Sequence, residues 1–340
     1  MSQKSKVIVI GAGVSGLTTA LVLQRNGYQV QIFAEHFPGD SNINYTSPSA
    51  GADWRSELIS IPNLSNLEAI SFKTLWSLSE FPETGLMRLQ SFTYMDEKPK
   101  LNGDPWFKDL VPKFRVIPQR NLPKGVEYGC SYTSITVDVP KYLRWLQTQF
   151  IDAGGKIKRV HLSHINEALD EDVDIVVNCT GISARTLGGV EDDTVFPTRG
   201  QTVIVWAPHV KKICTRIGAD YITYVIPRQD GVVVLGGVLG KPDQKTAESI
   251  IKRCTELCPE LALGKEYLEI ISNNVGRRPS RTGGIRIESE LRKNSKGKDI
   301  IVCHNYGHHA RGYSTSWGSS SKALELIETA LKTEQINAKL

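Results

Sequence analysis

The sequence has no run of 18 apolar residues, so no bilayer-crossing helix and no membrane role are expected. It has no CxxC pair, and no histidine lies close enough to complete a metal set with its six scattered cysteines. Cys254 and Cys258, four apart, would share one helix face, where two small apolar core residues account for them better than a metal. Reduced thiols in an intracellular compartment are the expected state. The opening Met1-Ser2-Gln3-Lys4-Ser5-Lys6 carries neither the apolar stretch nor the cleavage site of a secretory leader, so secretion is not expected. The net charge of +5 comes without a helix-turn-helix, zinc-finger or arginine-rich segment, and the clusters Lys211-Lys212, Arg277-Arg278 and Arg292-Lys293 are short. Nucleic-acid binding is therefore not expected; a mild positive field that draws in small anionic ligands explains the charge. Nothing repeats and no segment is of low complexity. What remains is a globular chain of 340 residues, long enough for two ordinary domains.

The clearest positive signal starts at residue 6. Lys6-Val7-Ile8-Val9-Ile10 is an apolar run of the kind that forms a parallel strand covered on both faces. Gly11-Ala12-Gly13-Val14-Ser15-Gly16 turns the chain. Leu17, Ala20, Leu21 and Leu23 then recur at helical spacing up to Asn26-Gly27, a helix stop, and Tyr28 to Phe33 is the next strand. In such a unit Gly11 permits the tight turn, Gly13 lets backbone approach a pyrophosphate, and Gly16 lets helix and strand pack closely. The helix start, with Val14 and Ser15, offers free N–H groups and a partial positive charge to phosphates. Glu35, at the end of the second strand, is placed to accept from ribose hydroxyls, with His36 beside it. This motif does not by itself separate FAD from NAD.

Further on, a helix is expected around Pro140 to Ala153, stopped by Gly154-Gly155. A buried strand over Asp174 to Asn178 breaks at Thr180-Gly181. Strand-like stretches at 201–206, 221–227 and 232–237 suggest an antiparallel sheet. A strand at 299–303 leads through a glycine-bearing turn into a long helix ending near Thr333. Residues 35–110 are rich in Pro, Ser and Asn, with amphipathic stretches only around 66–81. The fold class expected is α/β, a Rossmann-like dinucleotide-binding domain with a second, antiparallel-sheet substrate domain. The expected division is 1–50, 140–200 and 285–340 for the first and 51–139 and 201–284 for the second.

Several stretches, taken in order, resemble the D-amino-acid and D-aspartate oxidase family. They are Tyr45 to Ala52, Pro197 to Thr202, Tyr224-Val225-Ile226-Pro227-Arg228, Gly236-Gly237, Asn274 to Pro279, and His304-Asn305-Tyr306-Gly307-His308 continuing to Gly312 and Trp317-Gly318. The resemblance spans residue 6 to about 330 and implies an FAD-dependent oxidase. It implies cofactor contacts at Ser47, Gly51, Thr180, Gly181, Gly307, Gly312, Tyr313 and Ser314, besides the glycine turn. By the same resemblance Arg278 holds the substrate α-carboxylate, Tyr224 adds a phenolic hydrogen bond to it, and the carbonyl near Ala310 receives the substrate amine. A planar guanidinium suits the first role because it pairs bidentately with a carboxylate. Arg277, pointing to the opposite strand face, is expected to be a solvated surface residue. The family reaction needs no side-chain base, since the amine binds neutral and hydride leaves Cα directly. Its products are a 2-oxo acid, ammonia and, from molecular oxygen, hydrogen peroxide.

The chain departs from the family's closing signature at His309, where a small residue is usual, at Cys303 and at Ser320. Leu239 stands near where many members carry a second carboxylate-binding tyrosine. Basic residues not explained by the cofactor, namely Arg311, His309, Arg55 and Lys241, point to a preference for acidic D-amino acids, with Arg311 or Arg55 as the partner of the substrate side chain. The terminal Ala338-Lys339-Leu340 is a conservative variant of the Ser-Lys-Leu address, so a peroxisomal location and recognition by the peroxisomal import receptor are expected. An NAD-dependent dehydrogenase and a non-catalytic dinucleotide-binding scaffold stay open as alternatives, and oligomeric state is not indicated.

Overall fold

The computed structural model describes residues 5–101, 103–239, 244–262 and 268–337; Lys241 and the terminal Ala338-Lys339-Leu340 lie outside the described residues. The chain divides into two compact units, one of Met1–Pro48, Leu143–Thr198 and Arg277–Leu340 and one of Ser49–Tyr142 and Arg199–Gly276. The last break falls at 276/277, eight residues earlier than the sequence suggests. Two contacts assign 277–284 to the first unit: the Arg281 Nε–Asp192 Oδ2 ion pair (2.8 Å) and the Thr198–Ser280 hydroxyl pair (2.7 Å).

The first unit is built on a six-stranded sheet. Its order is Arg286–Lys293, Asp299–Tyr306, Ile175–Asn178, β1 (Lys6–Ile10), β2 (Gln29–Ala34) and Lys156–Arg159. All neighbours run parallel except the antiparallel edge pair Arg286–Lys293 with Asp299–Tyr306. Parallel strands need cover on both faces, and the residues comply: β1 is buried after Lys6, Ile175–Asn178 throughout and Asp299–Tyr306 after its first residue. On one face α1 (Val14–Arg25) packs against the C-terminal helix Gly312–Asn337. Elsewhere Ile8, Ile10, Phe33, Ile165, Val176, Ile300 and Val302 form one apolar cluster. Burying each such side chain contributes about 1.5–3 kcal/mol. The strand order reverses beside β1, with β2 on one flank and Ile175–Asn178 on the other. The loops after the carboxyl ends of β1 and Ile175–Asn178 therefore flank the topological switch point, where doubly wound sheets bind ligands.

The second unit carries an eight-stranded sheet in the order Glu269–Arg281, Val195–Trp206, Val232–Leu239, Ile222–Pro227, Lys212–Ile217, Leu86–Met95, Tyr128–Val137 and Arg115–Val116. The three pairs from Val195–Trp206 to Lys212–Ile217 and the two from Leu86–Met95 to Arg115–Val116 are antiparallel; Lys212–Ile217 with Leu86–Met95 is parallel. The helix Gln244–Leu257 sets Ala247, Ile250 and Cys254 into a core with Val203, Val205, Val225 and Leu235, and Cys258 joins the same cluster. Trp54, Phe72, Phe107 and Tyr132 pack ring against ring. All six cysteines are buried and free.

Candidate active site

The glycine turn of the first unit does its work through backbone shape. Gly11 sits at φ +105°, and a β-carbon there would come 2.6 Å from the Cys179 carbonyl oxygen. Gly16 packs so tightly that a β-carbon would overlap the Gly11 carbonyl. Gly13, at the start of α1, has no capping side chain of its own. Apart from the Val14 N–H, the first-turn donors and partial positive charge of α1 are thus offered to a ligand, with Ser15 and Gly16 in that turn. Three neighbours frame the turn. Ser47 Oγ accepts the Val14 N–H (2.9 Å), Tyr45 donates to the Ala12 carbonyl (2.8 Å), and Tyr313 donates to the Ser47 carbonyl (3.0 Å). This cradle fits the pyrophosphate of a dinucleotide.

Glu35 stands just past β2 with its carboxylate half exposed. Oε2 meets His161 Nδ1 at 3.0 Å and Oε1 lies 3.7 Å from His36 Nε2. The acid meant for ribose hydroxyls is therefore already flanked by two imidazoles, His161 among them, which sequence reasoning missed because it lies 126 residues away. At the other side of the switch point, Asn178 Oδ1 accepts from both the Thr180 N–H (3.2 Å) and the Thr180 hydroxyl (2.7 Å), and Gly181 follows at φ +59°. Asn178 is itself braced by His304 (Nδ2 to Nδ1, 3.2 Å), whose Nε2 meets Glu290 Oε1 at 3.0 Å. Burial holds the His304 pKa below the ordinary imidazole value, so the ring is neutral and donates through Nε2. The sequence marked His304 and Asn178 only as parts of motifs; their pairing across 126 residues has no local signal.

In the closing turn Gly307 takes φ +85° and packs on Arg281, which places the turn along the strand that carries Arg278. His308 is spent on structure: its ring is buried between Thr315 Oγ1 and Asn305 Oδ1, both at 3.0 Å, and burial lowers its pKa to about 4. Asn305 in turn donates to Thr19 of α1 (3.1 Å). His309 differs, with an exposed surface and φ +52°. Ala310 is exposed, Arg311 half-buried, and the C-terminal helix starts at Gly312. Ser314 and Thr315 hydroxyls donate to the Arg311 carbonyl (3.2 and 2.8 Å).

Arg278 is half-buried on its strand. Its neighbour Arg277 is not the solvated residue expected. Its Nη1 donates to Asn44 Oδ1 (2.9 Å), its carbonyl accepts from Thr46 (2.8 Å), and its Nε is buried without a hydrogen-bond partner. It anchors the loop that carries Ser47.

In the second unit Tyr224 is buried on Ile222–Pro227, paired in register with Thr215 on one side and Gly236 on the other. A β-carbon at Gly236 would collide with the Tyr224 ring. Arg55 donates to Thr215 Oγ1 (2.8 Å), and its guanidinium carbon lies 5.8 Å from the Tyr224 ring centre. Two residues before it, Asp53 keeps Oδ2 out of solvent without a hydrogen-bond partner, and burial pushes its carboxyl pKa upward against the opposing charge of Arg55. Arg228 holds the segment around Gly51, donating from Nε to the Gly51 carbonyl and from Nη2 to the Ala50 carbonyl, each at 2.8 Å. Among the described residues no cluster of His, Cys, Asp or Glu is arranged to hold a metal.

The family model described as FAD dependent oxidoreductase matches residues 6–326. The chain belongs to this family. Within it, a D-amino-acid oxidase of Schizosaccharomyces pombe is 35% identical over 98% of this chain and 99% of its own length. A D-aspartate oxidase of Talaromyces thermophilus is 28% identical over 95% of both. Among solved structures, glycine oxidase from Bacillus cereus shares the fold with a TM-score of 0.71 at 18% identity, covering 96% of this chain and 98% of that one. This family member takes FAD as its cofactor. The residues fit it: the α1 start and the Gly11–Gly16 turn for the pyrophosphate, Glu35 for the ribose.

Proposed function

We propose that the chain oxidises D-amino acids to 2-oxo acids and ammonia, reducing molecular oxygen to hydrogen peroxide, with acidic D-amino acids preferred and the peroxisome as its location. D-amino-acid oxidase family function rests on the match along nearly the whole chain. The acidic preference is supported by one observation above others: Arg55, a cation, stands beside Tyr224, 5.8 Å from its ring centre, and donates to the neutral hydroxyl of Thr215. A substrate carboxylate entering a dry site needs such a cation. Burial pushes the pKa of the neighbouring Asp53 carboxyl upward, against the opposing charge of Arg55.

In this reading Arg278 grips the α-carboxylate through its planar fork, Tyr224 donates to a carboxylate oxygen, and the Ala310 carbonyl accepts from the amine. With those two ends fixed, only the D-enantiomer would present its Cα–H to the face of a bound FAD ring. Bound FAD would supply the hydride acceptor and the route to oxygen. Arg55 is the better-supported partner for an acidic side chain, and Arg311 the second. Peroxisomal delivery is supported by the Ala338-Lys339-Leu340 tail on a peroxide producer.

A peroxide-coupled assay tests the preference: kcat/KM for D-glutamate and D-aspartate should exceed that for D-alanine and D-methionine, and Arg55→Ala should narrow the gap. Faster turnover of D-alanine or D-methionine by the unmodified protein would refute it. Deleting the last three residues should leave activity intact and make a fluorescent fusion cytosolic; unchanged localisation would rule out the tail as the signal.

A further inference from the structure

Four polar residues lead from the surface of the first unit to the Thr180-Gly181 turn, and their hydrogen bonds can run in only one direction. At the inner end the Thr180 backbone N–H, which can only donate, meets the Asn178 side chain at 3.2 Å. The atom facing it is therefore the amide oxygen, and Nδ2 of the same amide lies 3.2 Å from His304 Nδ1. Nδ2 has only protons to give, so Nδ1 carries a lone pair and the proton of the neutral ring sits on Nε2. Nε2 is 3.0 Å from Glu290 Oε1, an acceptor, and Arg292 Nε donates to that oxygen as well (2.8 Å). Both ends thus demand the same polarity. Asn178 and His304 are wholly shielded from bulk water, so neither can exchange its partner for solvent.

Thr180 spends its one hydroxyl proton on Asn178 Oδ1 (2.7 Å). Its oxygen keeps lone pairs and nothing to donate, on a half-buried residue beside the switch point. With the Asn178 amide turned over, Nδ2 would confront the Thr180 N–H, donor against donor, and the hydroxyl proton would lose its acceptor. We propose that His304 is a positioning residue for the cofactor: by accepting from Asn178 it fixes the Thr180 hydroxyl oxygen as an acceptor for an O–H or N–H donor of bound FAD. This rests on Thr180 meeting FAD, which the family resemblance implies. His304 touches no ligand in this role. It acts through Asn178, opposite which the parallel register of Ile175–Asn178 and Asp299–Tyr306 sets it, and Glu290 holds the ring in the tautomer that accepts.

The test is FAD affinity, read from the quenching of flavin fluorescence as FAD is added to the FAD-stripped protein, in two replacements that each keep half of the imidazole. His304→Gln can still reach Glu290 with an amide placed like Nε2 but leaves Asn178 without its acceptor. His304→Asn puts a carbonyl where Nδ1 stands. Glutamine is the closer match in volume, so a packing role alone would favour it. The hydrogen-bond polarity predicts the reverse: a Kd within about twofold of the unmodified protein for His304→Asn and roughly tenfold higher for His304→Gln, the size of one lost buried hydrogen bond. Thr180→Val should weaken FAD to a similar extent, and the double variant His304→Gln/Thr180→Val no further, because both changes remove the same interaction. In the unmodified protein, NMR of 15N-labelled histidine should show His304, assigned by its loss in His304→Asn, as a neutral ring protonated on Nε2. A His304 ring protonated on Nδ1, equal losses in the Asn and Gln variants, or additive losses in the double variant would overturn the proposal alone. Unchanged FAD affinity in Thr180→Val would overturn both it and the placing of Thr180 against the cofactor.

Discussion

The two units solve recognition by different means. In the first, the cofactor cradle is made of backbone: the Gly11–Gly16 turn, the α1 start and carbonyls held by Tyr45 and Tyr313. In the second, the groups proposed to meet the substrate are side chains: Tyr224, on a strand whose register fixes its neighbours, and Arg55, which lies outside the strands and donates to Thr215. Backbone sites tolerate almost no added volume, while side-chain sites lose single interactions when trimmed. Arg278, proposed as the α-carboxylate anchor, is of the second type although it stands in the first unit, on the strand Glu269–Arg281. The contrast predicts how damage should scale.

The largest effect is expected at Gly16. A β-carbon there overlaps the Gly11 carbonyl, which is backbone and cannot step aside, so Gly16→Val should yield protein without a flavin absorption band. Retained FAD would mean the turn is softer than its geometry. Next comes Arg278→Leu. Leaving a bound carboxylate without its guanidinium costs on the order of 3–5 kcal/mol, hundreds-fold or more in kcat/KM, with the flavin spectrum unchanged. Near-native kcat/KM would remove Arg278 from its role. Tyr224→Phe should be milder, removing one hydrogen bond to a charged acceptor worth about 1.5–3 kcal/mol, again without loss of flavin. The smallest effect, and the one that sharpens the contrast most, is expected at Arg277. Arg277→Ala releases Asn44, one net hydrogen bond of about 1 kcal/mol, and should weaken FAD binding by several-fold while sparing kcat of the saturated protein. A change in kcat with unaltered FAD affinity would place Arg277 with the substrate instead.

The same contrast explains what was legible in the sequence. The first unit's strand, turn and helix could be read directly because the signals are local: β1 is apolar without interruption, and three glycines answer to steric demands a few residues away. The strands Leu86–Met95 and Tyr128–Val137 went unread. Leu86–Met95 mixes buried and half-buried residues without alternation inside a stretch rich in Pro, Ser and Asn, so neither period shows. Arg277 was misread as solvated for another reason. Its partners Asn44 and Thr46 lie more than 230 residues away, and strand alternation says only which face a side chain takes, not what waits there. The Glu290–His304–Asn178–Thr180 chain is of the same kind: four polar residues from three segments whose mutual pairing has no local signal until the parallel pairing of Ile175–Asn178 with Asp299–Tyr306 brings them into line. In the second unit the family motifs mark Tyr224 and Arg228 by position, on and beside a stretch, 221–227, that already reads as a strand.

The central claim is that this chain holds FAD and takes hydride from the D-enantiomer of an amino acid. The most direct measurement is the visible absorption of the purified, FAD-loaded protein mixed without oxygen with D-aspartate, D-alanine and their L-counterparts. The account predicts bleaching of the flavin band with the D-amino acids only, fastest with D-aspartate, and recovery of the band when oxygen is admitted. A band that persists with every D-amino acid, or bleaches equally with the L-forms, would contradict it.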